Sequence, residues 1–158
     1  MWHLRGQELE LIRRDPPDVL FVANASNGQR NHAAYIDSYA RLLDRVPEST
    51  SVVVVEDAPR NIVDPLSCAS RHLDDPLVCA LAKEDAAPRH ADSTDYAAAG
   101  KTGSGLLEVV PWICGDVCPL IQGDVLVYKD GDHLTATFAR LLTPVFEQEI
   151  NAFIERPR

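Results

Sequence analysis

The sequence predicts an α/β domain, a three-layer α/β/α sandwich with a parallel sheet at its centre. Three observations predict it. Val19–Ala23 and Val52–Val55 are short, continuous apolar runs, which mark strands buried on both faces rather than the alternation of a half-solvated strand. Segments of helical periodicity precede, separate and follow these runs. The two kinds of segment alternate along the chain, and that order yields parallel strands joined by helices.

The elements follow in order. Leu4, Leu11 and Ile12 recur at helical spacing and mark an opening amphipathic helix. Asp15-Pro16-Pro17-Asp18 stops it, because proline removes a backbone donor and clashes with the preceding turn. The first strand comes next and leaves through a polar loop, Asn24-Ala25-Ser26-Asn27-Gly28-Gln29. Ile36, Tyr39, Ala40, Leu43 and Val46 line one side of a second helix, ended by Pro47. Val52–Val55 is the clearest buried strand and runs into the polar turn Glu56-Asp57-Ala58-Pro59. A stretch rich in Asp, Pro and Ala then carries the first two cysteines and a short helix around Ser93 to Ala99. Leu106–Val110 reads as a third strand, Cys114 to Cys118 as a tight loop, and Val125–Tyr128 as a short extended run. The last helix carries Leu134, Phe138, Leu141, Leu142, Val145, Phe146 and Ile150 on one side, and Pro144 kinks or divides it. In sheets of this kind the chemistry collects at the carboxyl ends of the strands. That draws Asn24, Glu56, Asp57 and the loop after Tyr128 toward one edge. No internal repeat and no linker long enough to divide the chain is present.

The bulk numbers exclude several classes. The 158 residues suffice for one domain with a real core, and 46% apolar with 25% charged residues is a globular composition. A formal charge of −9 with no Lys/Arg cluster argues against a phosphate-tracking surface, so nucleic acid is not an expected partner. No apolar run approaches the ~20 residues of a membrane helix. The opening Met1-Trp2-His3-Leu4-Arg5 lacks the apolar core of a signal peptide, so any export signal lies outside this chain.

The most informative tract is Val127-Tyr128-Lys129-Asp130-Gly131-Asp132-His133-Leu134-Thr135. A strand-like run ends in Asp-x-x-His and a helix-like pattern follows at once. An aspartate on the same tight loop as a histidine can orient the imidazole, leaving the other ring nitrogen as a base toward a nucleophile. Asp132 competes with Asp130 for that role, but a residue adjacent to His133 usually points away from it, which favours Asp130. The bland reading is a solvated turn before a helix. Asn24 and Asn27 follow a buried strand, where a side-chain amide can donate to an oxyanion or simply cap a turn.

Other constellations carry less. Gly100-Lys101-Thr102 looks like the tail of a phosphate loop, but the upstream glycine position holds Asp95 and the helix-then-strand context is reversed. Asp130-Gly131-Asp132 opens like a calcium loop, yet the apolar helix begins too soon. His3, His32, His72, His90 and His133 have no metal-ligand spacing, and neither a metal nor a cofactor is expected. Cys68, Cys79, Cys114 and Cys118 form two sequence-local pairs without the C-x-x-C spacing of a zinc knuckle. Two local disulfides, other pairings and four free thiols are all compatible with that spacing, and an oxidising compartment favours bridges.

The tract Cys114-Gly115-Asp116-Val117-Cys118-Pro119, continued by Gly123-Asp124-Val125-Leu126-Val127-Tyr128-Lys129-Asp130-Gly131-Asp132-His133-Leu134-Thr135-Ala136-Thr137-Phe138-Ala139, closely resembles the end of a known domain. That domain is the SGNH-hydrolase-like domain fused to bacterial membrane acyltransferases of the O-antigen acetylase type. Glu56-Asp57-Ala58-Pro59-Arg60 resembles its strand-end Asp-x-Pro, and the segment from Cys68 through His72 and Pro76 to Cys79 its first cysteine-bounded loop. The resemblance runs from about residue 1 to about residue 150, and the final tract is its most specific part.

The resemblance implies a flavodoxin-like sandwich and a Ser–His–Asp set, with His133 as base and Asp130 as acid. It implies Asn24 as the counterpart of the oxyanion asparagine, although the Gly-x-Asn-Asp pattern is not kept. It implies bridges Cys68–Cys79 and Cys114–Cys118. It also implies a place on the periplasmic face of the membrane, a glycan or lipopolysaccharide-type acceptor, and a membrane acyltransferase domain supplying the acyl group. The family's Gly-Asp-Ser, which carries the nucleophile, is absent from the 158 residues. Residues 1–158 are therefore expected to be a partial SGNH-like domain lacking its first βα unit, and inactive in isolation. The alternative is a non-catalytic glycan-binding or interaction domain with a vestigial Asp–His pair.

Overall fold

The computed structural model describes residues 6–23, 25, 32–60, 64–87, 92–131 and 133–155. Three parallel strands, β1 (Val19–Ala23), β2 (Ser51–Val55) and β4 (Gly105–Leu107), form a sheet in the order β1-β2-β4. Pairing runs from Val19↔Ser51 to Ala23↔Val55, and from Val53↔Gly105 to Val55↔Leu107. Side chains alternate across a strand, so this register sets Val22, Val52, Val54 and Leu106 on one face and Phe21, Val53 and Gly105 on the other.

Helices cover both faces. On the first, Tyr35, Tyr39 and Leu43 of α2 (His32–Leu43) and Ala98 and Ala99 of α5 (Thr94–Thr102) form one buried cluster with Val54. Val22, Val52 and Leu106 pack against it. The Tyr39 hydroxyl donates to the Val22 carbonyl at 3.3 Å and ties α2 to the edge strand. On the second face lies the last turn of α8 (Thr143–Ile154), whose Phe153 ring meets Phe21 edge-on at 6.3 Å. A Cβ on Gly105 would stand 2.9 Å from Phe153 Cε1 and 3.3 Å from Val53 Cγ2, so a side chain here would displace the Phe153 ring.

The chain divides into two compact units. Unit one, Met1–Asp57, His90–Leu107 and Asn151–Arg158, holds the sheet with α1 (Gly6–Arg14), α2, α5 and the end of α8. Unit two is Ala58–Arg89 and Glu108–Ile150. It begins with α3 (Pro65–Arg71), a 3-10 turn over Pro76–Cys79, β3 (Leu81–Ala82) and α4 (Lys83–Ala86). It continues with α6 (Val110–Ile113), β5 (Val117–Cys118), β6 (Ile121–Gln122), β7 (Val125–Leu126), α7 (Ala136–Leu141) and most of α8. β3 pairs with β5 and β6 with β7, both antiparallel.

Two expectations change in detail, and the alternative left open at Pro144 is decided. Full burial on both faces holds only at the centre of β2, in Val53 and Val54; Val19 to Val22 of β1 are half-buried, as suits the strand at the end of the sheet order. The third strand stops at Leu107, because Pro111 suits a first helical turn and Val110 opens α6 instead of extending the strand. Pro144 divides the terminal helix rather than kinking it: α7 ends at Leu141 and α8 opens at Thr143, which puts the proline in a first turn where no donor is missed. Among the described residues no helix is long and apolar enough to cross a membrane.

Candidate functional site

The Asp-x-x-His loop is built on a small antiparallel platform in unit two. The β6–β7 hairpin turns at Gly123, whose φ of 56° suits glycine. The chain after β7 is held by Val127, whose N–H donates to the Leu120 carbonyl at 2.9 Å; Val127 and Leu120 are fully buried. Tyr128 then forms an isolated antiparallel bridge with Leu134. The Lys129 N–H donates to the His133 carbonyl and the Thr135 N–H to the Val127 carbonyl, each at 2.8 Å. Lys129, Asp130, Gly131 and His133 thus stand on a loop closed at its base, with α7 starting directly behind it.

Inside that loop Asp130 grips His133 twice. Its Oδ1 accepts the His133 backbone N–H at 2.9 Å. The same oxygen lies 2.9 Å from the ring Nδ1, and Oδ2 lies 3.1 Å from it. An ionised carboxylate can only accept, so this contact places the proton on Nδ1 and the lone pair on Nε2. Among the described residues none is hydrogen-bonded to Nε2. The His133 side chain is 74% exposed and that of Asp130 48%, so solvent screens the pair and its value is orientation rather than stability. Beneath the loop, burial pushes the Tyr128 hydroxyl up to about 12.

A second polar group lies at the carboxyl end of β2, in unit one. Glu56 is buried and its N–H donates to the Leu107 carbonyl at 2.9 Å. The Asp57 N–H donates to Oδ2 of Asp95, a residue 1% exposed at the start of α5. Burial first, and then the Asp95 charge, drives the hydroxyls of Tyr35 and Tyr39 well above the ordinary tyrosine range. Sequence reading gave Asp95 no role. An acidic residue in a first helical turn is ordinarily a solvated partner of the helix dipole, and only the fold shows that it holds the strand-end backbone.

The structure therefore brings Asp130 together with His133, and Asp57 with Asp95. Asn24, Ser26, Asn27 and Asp132 lie outside the described residues. Gly100-Lys101-Thr102 forms the last turn of α5, closed by Gly103 at φ 69°, with Lys101 paired to Asp37. The cysteines are joined as Cys68–Cys79 and Cys114–Cys118, with Cα separations of 6.0 and 4.3 Å. Among the described residues no group of three His, Cys, Asp or Glu side chains is placed to hold a metal ion.

Residues 3–148 match the family described as SGNH domain (fused to AT3 domains). No curated protein matches the chain. Among solved structures the chain is similar to the periplasmic domain of a lipopolysaccharide acetyltransferase from Salmonella ser. Paratyphi A, with a TM-score of 0.70 and 16% identity. The likeness covers 93% of this chain and 62% of that one, so this chain spans less than two thirds of the solved domain. At that identity the likeness carries the fold.

Proposed function

The chain belongs to the SGNH domain family, and on that footing we propose that it is the acid–base portion of an acyltransferase or esterase domain acting on acetyl-type esters of cell-envelope glycans. The observation that carries this reading is the double hold of Asp130 on His133, which fixes the ring and presents Nε2 as a base.

In this mechanism a serine hydroxyl from a Gly-Asp-Ser segment outside the 158 residues meets Nε2. His133 takes the serine proton as the serine oxygen attacks the acyl carbonyl. The tetrahedral intermediate collapses, and the leaving group departs with the proton returned by Nε2–H. The resulting acyl-serine is attacked by a sugar hydroxyl, which gives its proton to Nε2, and the serine leaves with that proton. Asp130 stabilises the imidazolium formed in each half. Asn24 is the proposed oxyanion donor.

A membrane acyltransferase domain is the proposed source of the acyl group, and a lipopolysaccharide-type glycan its acceptor, on the periplasmic face. Support comes from the description of the family as fused to AT3 domains and from the name of the solved neighbour. Two disulfides suit an oxidising compartment. A glycan-binding role without catalysis is the second reading, favoured by the absence of Gly-Asp-Ser from the chain.

Nitrophenyl acetate turnover separates the two. The chain alone should hydrolyse the ester little above background, with or without His133→Ala. Robust turnover abolished by His133→Ala would show that the nucleophile is already present. In a polypeptide joining this chain to a Gly-Asp-Ser segment, His133→Ala should cost on the order of 10⁶-fold. Unchanged turnover there would leave only the binding reading.

A further inference from the structure

We infer that Thr135 is a positioning residue for the Asp130–His133 pair, through the hydrogen bond its hydroxyl donates to the Leu126 carbonyl; this rests on His133 being the base. Thr135 joins three elements. Its N–H donates to the Val127 carbonyl at 2.8 Å. Its hydroxyl donates to the Leu126 carbonyl at 2.6 Å and accepts the Phe138 N–H at 3.1 Å. A threonine hydroxyl has one donor and two acceptor sites, so the side chain satisfies the strand and caps α7 at once.

The consequence for the site is geometric. The loop leaves the platform at Tyr128 and returns at Leu134. Thr135 is the next residue, and its hydroxyl bond to β7 adds a side-chain tether to the backbone bond at Val127. Cutting that tether frees the returning strand of the bridge. His133 is then no longer held by Lys129 N–H on one side and Asp130 on the other. The cap bond alone does not do this, since the N–H it satisfies is that of Phe138 inside α7 and not one on the strand that the loop leaves.

Amide hydrogen exchange on the chain tests the inference without any turnover. Thr135→Val removes donor and acceptor; Thr135→Asp keeps the cap acceptor and loses the donor; Thr135→Ser keeps both. Exchange at the His133 and Lys129 amides should quicken by about tenfold in the Val and Asp variants and return to the parent rate in the Ser variant. The Cys114 amide, bonded to the Val110 carbonyl in α6, is the control that should not move. If Thr135→Val does not fold, the Asp variant decides. The inference is overturned by unchanged exchange at His133 and Lys129, by equal loss at Cys114, by failure of serine to restore the rate, or by loss of folding in both variants. Such a result leaves the base role of His133 standing, and inactivity of that base in the turnover assay leaves this tether standing.

Discussion

Asp130 does two jobs with one side chain: it caps the loop at the His133 N–H and orients the ring at Nδ1. The two jobs separate on substitution. Asp130→Asn keeps an acceptor for the backbone but loses the charge that favours the imidazolium, and its amide can reverse the ring tautomer. In a serine-bearing polypeptide that variant should lose on the order of 10⁴-fold in turnover while the chain remains folded. A loss below tenfold would mean that the aspartate is only a turn cap. Tyr128 makes the second residue-scale prediction. Its hydroxyl is buried and, among the described residues, has no hydrogen-bond partner. Tyr128→Phe should therefore leave stability unchanged or raise it by up to about 1 kcal/mol in urea melts, because no bond is lost and a desolvated group is removed. A clear drop in stability would reveal a partner for the hydroxyl.

Helix ends and strand ends decide the element scale. Asp64 caps α3, its carboxylate accepting the Ser67 N–H at 3.3 Å and the Ser67 hydroxyl at 2.8 Å. Those bonds hold its carboxyl below the usual carboxylate range. The folded group thus gives up its proton more readily than the unfolded one, and its contribution is present above the ordinary aspartate value and lost as pH falls through the lowered one. Protection of the Ser67 amide, its exchange rate taken relative to the intrinsic rate at each pH, should therefore fall as pH drops below the ordinary aspartate range, and Asp64→Asn should remove that loss; an identical acid profile in the variant would contradict the cap. Apolar strands, prolines and helical periodicity made β1, β2, α2, α5 and the divided final helix readable from the sequence. The Asp130–His133 contact was readable too, because three residues on one loop leave little room for another arrangement. What stayed hidden depends on distant partners: Asp95 beneath the Asp57 amide, Phe153 against Gly105, and the Thr135 tether. None of these has a local pattern, since each joins segments far apart or uses a residue type that is ordinarily a plain cap.

At the scale of the molecule, all four cysteines lie in unit two, whereas the sheet lies in unit one. Each bridge closes a short loop and should contribute about 2–3 kcal/mol by restricting the unfolded chain. Reduction should accordingly release amides of unit two, such as Val127, at lower urea than those of β2 in unit one. Simultaneous release would show that the two units unfold as one. Alkali should act on both. Tyr35 and Tyr39 in unit one and Tyr128 in unit two keep their protons past the ordinary tyrosine value. Stability they contribute is complete below about pH 10 and declines as pH rises above it, because the unfolded chain ionises first. Everything proposed for function still converges on one ring in unit two. The most direct test of it is the ¹⁵N spectrum of the His133 ring in the chain, at a pH where the ring is neutral. The proton is expected on Nδ1 with Nε2 bare, a preference lost in Asp130→Ala. A proton on Nε2 in the parent chain would contradict it, because that nitrogen could not then serve as the base.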